Sequence, residues 1–499
     1  MKFTPNYKNH ELYQSTLYLE LLRKLDSQKL TDYSKDNEKF QLLLSIIQNR
    51  RTLSPNHLNY LKEELEASIV NILNFEDHLL TYHEIAMIDV KRNILSCVGR
   101  GSAAGSLVCY SLDISKLDPL EYDLRWDRFV PFSPKVIDID LDVPDRSYII
   151  NYLNETYPGK IALLGSSTNH TIKSAFIKIM ESKVAQSDLF KYTKFLKTRL
   201  EHNPYNGIAE VLHQLKINKN LIKHADALTD TISEINRLAG LDNNGSKENF
   251  MEIVETSHEL THLFDFHKEQ KELIYNLIGT PKEEGIHACA IILDDNLSQY
   301  NLSERANKFN LPIITDVDWN SLFKVDLLNL RSLNKELFLD INIDLSLQEI
   351  NKAIKEKAPN HFFQGKYITS YPQVMDSTSI TSIYDFALFS ALYRPLTVKN
   401  INYKMHNQKC PESLREAFSK TKGWIVFQED LLALAESRNI PDRRAFLGDM
   451  INNRNNSEYK EFFDIEELAF LDRFSKYAFN KAHAVAYAKI TFMDVYNQI

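Results

Sequence analysis

The chain has 499 residues, 43% of them hydrophobic and 25% charged, with a formal net charge of −8. That is enough sequence for two to four domains, and the acidic balance argues against a broad basic surface, so any hold on nucleic acid must be local or weak. No apolar run is long enough to span a membrane, Met1–Asn9 lacks a signal-peptide core, and Cys97, Cys109, Cys289 and Cys410 form no CxxC pair, which is the cysteine usage of a reduced, cytoplasmic protein.

Residues 1 to 98 read as helical. Ser54-Pro55 is a helix start, with Ser as N-cap and Pro at the first position. Leu58, Leu61, Leu65, Ile69 and Ile72 follow at helical spacing, which puts Lys62, Glu63, Glu64 and Glu66 outside. A second helix is expected over about Glu76 to Val90. Asn93 to Val98 is a short apolar run with strand character, feeding Gly99-Arg100-Gly101-Ser102-Ala103-Ala104-Gly105-Ser106. Such small residues let backbone approach a ligand, and a helix over about Ala103 to Leu112 would aim free N–H groups at a phosphate. Gly101, Ser102 and Ser106 are the candidates for that contact. The spacing G-x-G-x-x-x-G is one residue off the dinucleotide fingerprint, and no Gly-Lys-Ser/Thr follows as in a P-loop. A tight strand-to-helix turn is the plainer alternative.

Val136 to Val143 reads Val-Ile-Asp-Ile-Asp-Leu-Asp-Val, alternating with period two. As a strand it places Asp138, Asp140 and Asp142 on one face, roughly 6.5–7 Å apart. Like charges so spaced repel unless something cationic sits among them. A pair of Mg²⁺ ions meets that need, since Mg²⁺ takes carboxylate oxygens together with substrate phosphates; the alternative is an edge strand defended by charge. Ile161 to Leu164 is a further strand, leading through Gly165-Ser166-Ser167-Thr168 into a helix with Lys173 and Lys178. From there to about Leu277 the pattern is helical and polar, with a polar loop at Asp242-Asn243-Asn244-Gly245-Ser246. His287 to Leu293 and Leu322 to Leu328 return to strand character, and the latter sets Lys324 and Asp326 on one face of an apolar frame. A buried Asp there needs a partner. From about Arg331 onward the chain is again mostly helical.

In this order the motifs resemble the C-family bacterial replicative DNA polymerases, the alpha subunit of DNA polymerase III. Gly99 to Ser106 is similar to the glycine-serine loop of that family's palm. The acidic strand is similar to Pro-Asp-x-Asp-x-Asp-Phe, with Ile137 and Val143 in place of the proline and phenylalanine. Lys324-Val325-Asp326-Leu327-Leu328-Asn329-Leu330-Arg331 resembles Lys-Phe-Asp-Phe-Leu-Gly-Leu-Arg, and Gly285-Ile286-His287-Ala288 resembles Gly-Lys-His-Ala without its lysine. Ala391-Leu392-Tyr393-Arg394-Pro395, Phe427-Gln428-Glu429-Asp430 and Phe479-Asn480-Lys481-Ala482-His483-Ala484 match the later arginine-proline, Tyr-Gln-Glu-Gln and fingers motifs.

The resemblance implies an α+β, helix-rich fold. It would have a helical N-terminal region (1–92), a nucleotidyltransferase-type palm with a mixed sheet (93–168 and 280–330), an inserted helical thumb (169–279) and helical fingers (331–499). It implies templated DNA synthesis, with Asp138, Asp140 and Asp326 as catalytic ligands of two Mg²⁺ ions, or Mn²⁺ in their place; Asp142 reads as a support behind those ligands or as structural. Primer-template DNA and deoxynucleoside triphosphates are the implied partners, with a processivity or replisome protein beside them. Lys481 and His483, at a helix start capped by Asn480, would meet the triphosphate together with Arg394, Arg443 and Arg444, and Lys173 and Lys178 would hold DNA. The family's phosphoesterase-type, proofreading, clamp-binding and oligonucleotide-fold segments have no counterpart in these residues, the pattern expected of a minimal, phage-like polymerase. Against this stand a partner-dependent or inactive DNA-binding subunit, a nucleotidyltransferase working without template, and a zinc protease on the H-E-x-x-H of His258 to His262.

Overall fold

In a computed structural model of the chain, the described residues are 3, 5–131, 134–137, 139–170, 174–175, 178–179, 250–251, 254–255, 268–315, 322–330, 382–392, 410–421, 423–452 and 456–496. They fall in two compact units, Met1–Leu164 with Ala288–Ile499, and Gly165–His287.

The first unit opens with five helices: α1 (Leu17–Leu25), α2 (Gln28–Ser34), α3 (Glu38–Arg50), α4 (Pro55–Asn71) and α5 (Phe75–Val90). Their starts follow from side-chain caps, Ser27 accepting from the Leu30 N–H, Asn37 from Phe40 and Ser54 from His57. Pro55 stands at the first turn of α4, as its fixed φ and missing N–H allow. Leu21, Leu43, Leu61, Leu65, Leu79 and Tyr82 from this array are fully buried in one core with the inner face of the sheet.

No strand forms at Asn93–Val98. Cys97 takes a left-handed conformation (φ 53°) that interrupts extended pairing, and its N–H makes a single bond to the Asp142 carbonyl, 2.7 Å. The expected helix over Ala103–Leu112 is also broken. A 3₁₀ turn, Ala103–Gly105, ends at Ser106, which is extended (φ −90°, ψ 122°) and caps the five-residue α6 (Leu107–Ser111).

The sheet has six strands: β1 (Asp140–Val143), β2 (Ile161–Asn169), β3 (Pro281–Leu293), β4 (Asn301–Ser303), β5 (Ile313–Thr315) and β6 (Lys324–Asn329). Their order is β1-β6-β3-β2-β5-β4. The sheet is mixed, with β1 parallel to β6 and β2 to β5, and β3 antiparallel to β6 and β4 to β5. Period-two alternation sends Leu141, Val143, Ile161, Leu163, Ile291, Val325 and Leu327 into the helical core. Ala162, Leu164, Ala290, Ile292 and Ile314 pack on the opposite face. Between β1 and β2 runs α7 (Arg146–Thr156), capped by the Asp145 carboxylate on the Tyr148 N–H.

The second unit has its own small core of Ala175, Phe250, Val254, Ile274 and Ile278, the last two at and just beyond α8 (Lys268–Leu277). In it β2 continues through Gly165–Asn169, past the Leu164 at which the strand was expected to end. Gly285 leaves room for the Ser166 hydroxyl, which a Cβ would meet at 3.0 Å.

The later helices of the first unit are α9 (Ile383–Leu392), α10 (Gln428–Ser437), α11 (Arg443–Asn452), α12 (Ile465–Phe474) and α13 (Lys481–Tyr496). Helices α9 and α13 share a core with Leu95, Val98, Leu117 and Phe427, while α10 to α12 enclose Phe418, Phe446 and Leu471. A parallel bridge between Phe427 and Phe479 ties the starts of α10 and α13 together. The whole is helix-rich with a mixed sheet, an α+β fold, and no helix among the described residues is long and apolar enough to cross a membrane.

Candidate active site

Because Leu141, Val143, Val325 and Leu327 enter the core, Asp140, Asp142 and Asp326 stand on the other face of the sheet. β1 and β6 pair in parallel with Asp140 directly beside Asp326, and Ala290 of β3 lies beside Asp326 on its far side. Two segments remote in sequence thus bring two carboxylates to adjacent strands, whose spacing is about 4.8 Å. β1 starts at Asp140 and not at Val136, because the Ile139 N–H is taken by the Tyr82 hydroxyl (3.3 Å) instead of a strand partner. Asp138 lies outside the described residues.

The cation among these acids is a side chain. Arg100 places Nε 3.7 Å from Asp140 Oδ2 and Nη1 3.3 Å from Asp142 Oδ1. Lys324 Nζ is 2.8 Å from Asp326 Oδ2. Asp142 is 1% exposed. Burial raises its carboxyl to about 6, against the opposing pull of Arg100. It is a buried anchor for Arg100, while Asp140 is partly open. Among the described residues no group of three or more His, Cys, Asp or Glu is placed to hold a metal ion.

The glycine-serine loop is arranged differently from the phosphate cradle its composition offers. Gly105 packs so closely on Arg125 that a Cβ would lie 2.4 Å from that residue's carbonyl oxygen. Ser106 is fully buried, bonded through its hydroxyl to Glu64 and capping the Cys109 N–H at 2.9 Å. The first amides of α6 are also taken, Leu107 N–H donating to Glu64 Oε2 at 2.8 Å and Val108 N–H at 3.4 Å. Glu64 therefore holds the helix N-terminus where a phosphate was expected, and Ser106 faces inward. Gly101 keeps the open geometry, with φ 59° and nothing within 4 Å of a Cβ, and Ser102 beside it is half-buried.

The C-terminal cations are likewise engaged. Lys481 is 1% exposed; its Nζ donates to the Asp123 carbonyl (2.9 Å) and lies 3.4 Å from the Asp123 carboxylate and 5.2 Å from the Tyr384 ring. Its backbone N–H donates to the buried Glu429 (2.9 Å). The expected Asn480 cap is present, accepting from the His483 N–H at 2.8 Å, and the His483 ring lies 4.5 Å from that of Tyr487. Arg443 pairs with Glu436 (2.6 Å) and Asp127 (3.5 Å), and Arg444 donates to the carbonyls of Asp127 and Val130. In the second unit Lys178 is exposed, its Nζ 3.4 Å from His170 Nε2. Lys173, Arg394 and the His258–His262 motif lie outside the described residues.

Residues 22–333 match the family described as the bacterial DNA polymerase III alpha NTPase domain. The chain belongs to the bacterial DNA polymerase III alpha family. It is similar to the DNA polymerase III subunit alpha of Ureaplasma parvum, 25% identical over 91% of this chain and 47% of that protein. Similar too are the proteins of the same name from Staphylococcus epidermidis (25% identical, 89% of this chain, 42% of that protein) and Staphylococcus aureus (24%, 90% and 42%). The chain thus spans less than half the length of these relatives.

For a member of the DNA polymerase III alpha family, two residues of the site escaped the motif reading. Arg100 sat between the quoted glycines, and the need for a cation among the aspartates was its signal. Glu64 was assigned outward, yet Leu61, Glu64, Leu65 and Ser68 are the buried positions of α4 and follow the i, i+3, i+4, i+7 rule. The periodicity already placed Glu64 inside.

Proposed function

We propose that this chain is a template-directed DNA polymerase, adding deoxynucleotides from their triphosphates to a primer 3′-hydroxyl. The observation that carries the reading is the in-register pair Asp140 and Asp326, turned away from the helical core and already matched by the positive charges of Arg100 and Lys324. Carboxylate oxygens are the hard donors a divalent metal takes, and here a metal would compete with those side chains for them. Asp138, Asp140 and Asp326 would hold it; a pair of Mg²⁺ ions, or Mn²⁺, supplies activation of the hydroxyl and charge neutralisation at the leaving pyrophosphate.

The chain's own part is positioning, since phosphoryl transfer needs little covalent help. Asp142 anchors Arg100 beside Asp140, and the open backbone at Gly101 and Ser102 offers amides to the triphosphate. In this reading residues 93–168 and 280–330 are the palm, 169–279 the thumb and 331–499 the fingers. Lys481, His483, Arg394, Arg443 and Arg444 belong to the nucleotide side, and Lys173 and Lys178 to DNA. Lys481 reaches a triphosphate only after leaving Asp123. That burial favours one second reading, a replication subunit whose activity awaits a partner protein.

Primer extension on a primed DNA template, with Mg²⁺ and four deoxynucleotides, tests the proposal. Wild type extends along the template, and Asp140→Asn and Asp326→Asn, with unchanged circular dichroism, lose at least about a hundredfold in rate. No extension by folded wild-type protein, with Mg²⁺ or Mn²⁺, overturns the polymerase reading and leaves the partner-dependent one.

A further inference from the structure

Three contacts between cations and acids surround the carboxylate pair, and they are not equally firm. Among the described residues, Asp140, Asp142 and Asp326 face two side-chain cations, Arg100 and Lys324. A divalent cation brought to Asp140 and Asp326 would turn this balance positive, so one of the side-chain contacts has to give way. Lys324 Nζ lies 2.8 Å from Asp326 Oδ2, a full hydrogen bond. Arg100 Nη1 donates to Asp142 Oδ1 at 3.3 Å. Arg100 Nε stands 3.7 Å from Asp140 Oδ2, an ion pair beyond hydrogen-bond reach.

Burial separates the two arginine contacts in the same sense. The Asp142 side chain is almost wholly buried, and its Oδ2 has no hydrogen-bond partner among the described residues. Taking Arg100 away would strand that carboxylate, which is why the pair holds. The Asp140 side chain is 39% exposed, so water screens its pairing with Arg100. The backbone adds to the hold on Asp142, since Cys97 N–H, three residues before Arg100, donates to the Asp142 carbonyl at 2.7 Å. Burial opposes the charge on Arg100, Asp142 supports it more than Asp140 does, and the guanidinium pKa stands above its ordinary value.

We propose that Arg100 is a tethered competitor of divalent metal: it yields Asp140 to the ion, stays beside the site on Asp142, and so sets the metal affinity of the carboxylate pair. The metal ligands, Asp140 and Asp326, are those of the polymerase reading, on which this rests. Arg100 is then a positioning residue, acting through Asp140.

Its test is Mn²⁺ binding by the full chain, read from the electron paramagnetic resonance signal of the free ion, without DNA or nucleotide. Arg100→Gln should bind Mn²⁺ about tenfold or more tightly than wild type, because a cation next to the site is gone. Adding Asp140→Asn to that variant should cancel the gain, which acts through that carboxylate. Arg100→Gln combined with Asp142→Asn strands no buried charge, and serves where the single variant does not fold. It too should bind more tightly than wild type, since Arg100 lies nearer to Asp140 than Asp142 does. A loosened loop alone would weaken metal binding, so a gain lies outside a merely structural role.

Unchanged or weaker binding in the Arg100 variants, or a gain that survives Asp140→Asn, overturns the competition. If wild-type binding falls in Asp326→Asn while the Arg100 variants gain nothing, only the competition is removed. Binding indifferent to Asp140→Asn and Asp326→Asn in every form removes the metal site of the polymerase reading along with it. Tighter, Asp140-dependent binding in a protein that extends no primer keeps the competition and removes the polymerase reading.

Discussion

Replacing Glu64 by glutamine isolates the electrostatics of the glycine-serine loop. The carboxyl is fully buried and accepts from the Ser106 hydroxyl and the Leu107 and Val108 amides. Burial drives its pKa up, those hydrogen bonds pull it back, and burial prevails at about 7 against an ordinary 4.5. Between these values the unfolded chain gives up the proton while the folded chain keeps it. Stability from this group is therefore full at low pH and falls as pH rises from about 4.5 to about 7. At about 1.4 kcal/mol per pH unit the fall is about 3 kcal/mol. Glutamine keeps an acceptor oxygen in the same place and cannot ionise. Urea unfolding of wild type and Glu64→Gln in parallel from pH 5 to pH 8 should give curves that meet near pH 5. By pH 8 the variant should be about 3 kcal/mol more stable. The difference cancels the other buried carboxyls, such as Asp430, which burial raises to about 7. Stability differences that stay constant across this pH range would refute the reasoning.

Two further substitutions test the neighbouring contacts. Gly105→Ala sets a methyl 2.4 Å from the Arg125 carbonyl oxygen and should destabilise by about 1–3 kcal/mol, measured by thermal unfolding; an unchanged unfolding temperature would show that the backbone there yields. Lys481→Met removes the donor to the Asp123 carbonyl from a buried site and should cost about 1–3 kcal/mol in urea unfolding. If Lys481 also meets the triphosphate, KM for deoxynucleotide rises in the same variant.

The Ser54-Pro55 start, the helical periodicity of α4 and the apolar strands at 161–164 and 322–328 were legible because each depends on residues close in sequence. Elements that depend on remote partners were not. The left-handed Cys97 is imposed by its bond to Asp142. Nothing around Gly105 announces that Arg125 will press on it. Gly105 and Ser106 have the composition of an anion loop, and the acceptor that arrives is the chain's own Glu64 carboxyl. In the carboxylate site the alternation gave the right face for Asp140 and Asp142, and Lys324 and Asp326 do share a face. That Lys324 would neutralise Asp326, and Arg100 bridge Asp140 and Asp142, needed the three-dimensional register.

The parallel register of Asp140 with Asp326 also sets an order of assembly. As the chain is synthesised, Arg100, Asp140 and Asp142 emerge together and can pair at once, whereas Asp326 arrives only after the second unit and β3 have been made. Loop closure over such a distance is slow compared with local contacts. The two carboxylates therefore meet late in folding, after Arg100 has already had Asp140 and Asp142 as partners.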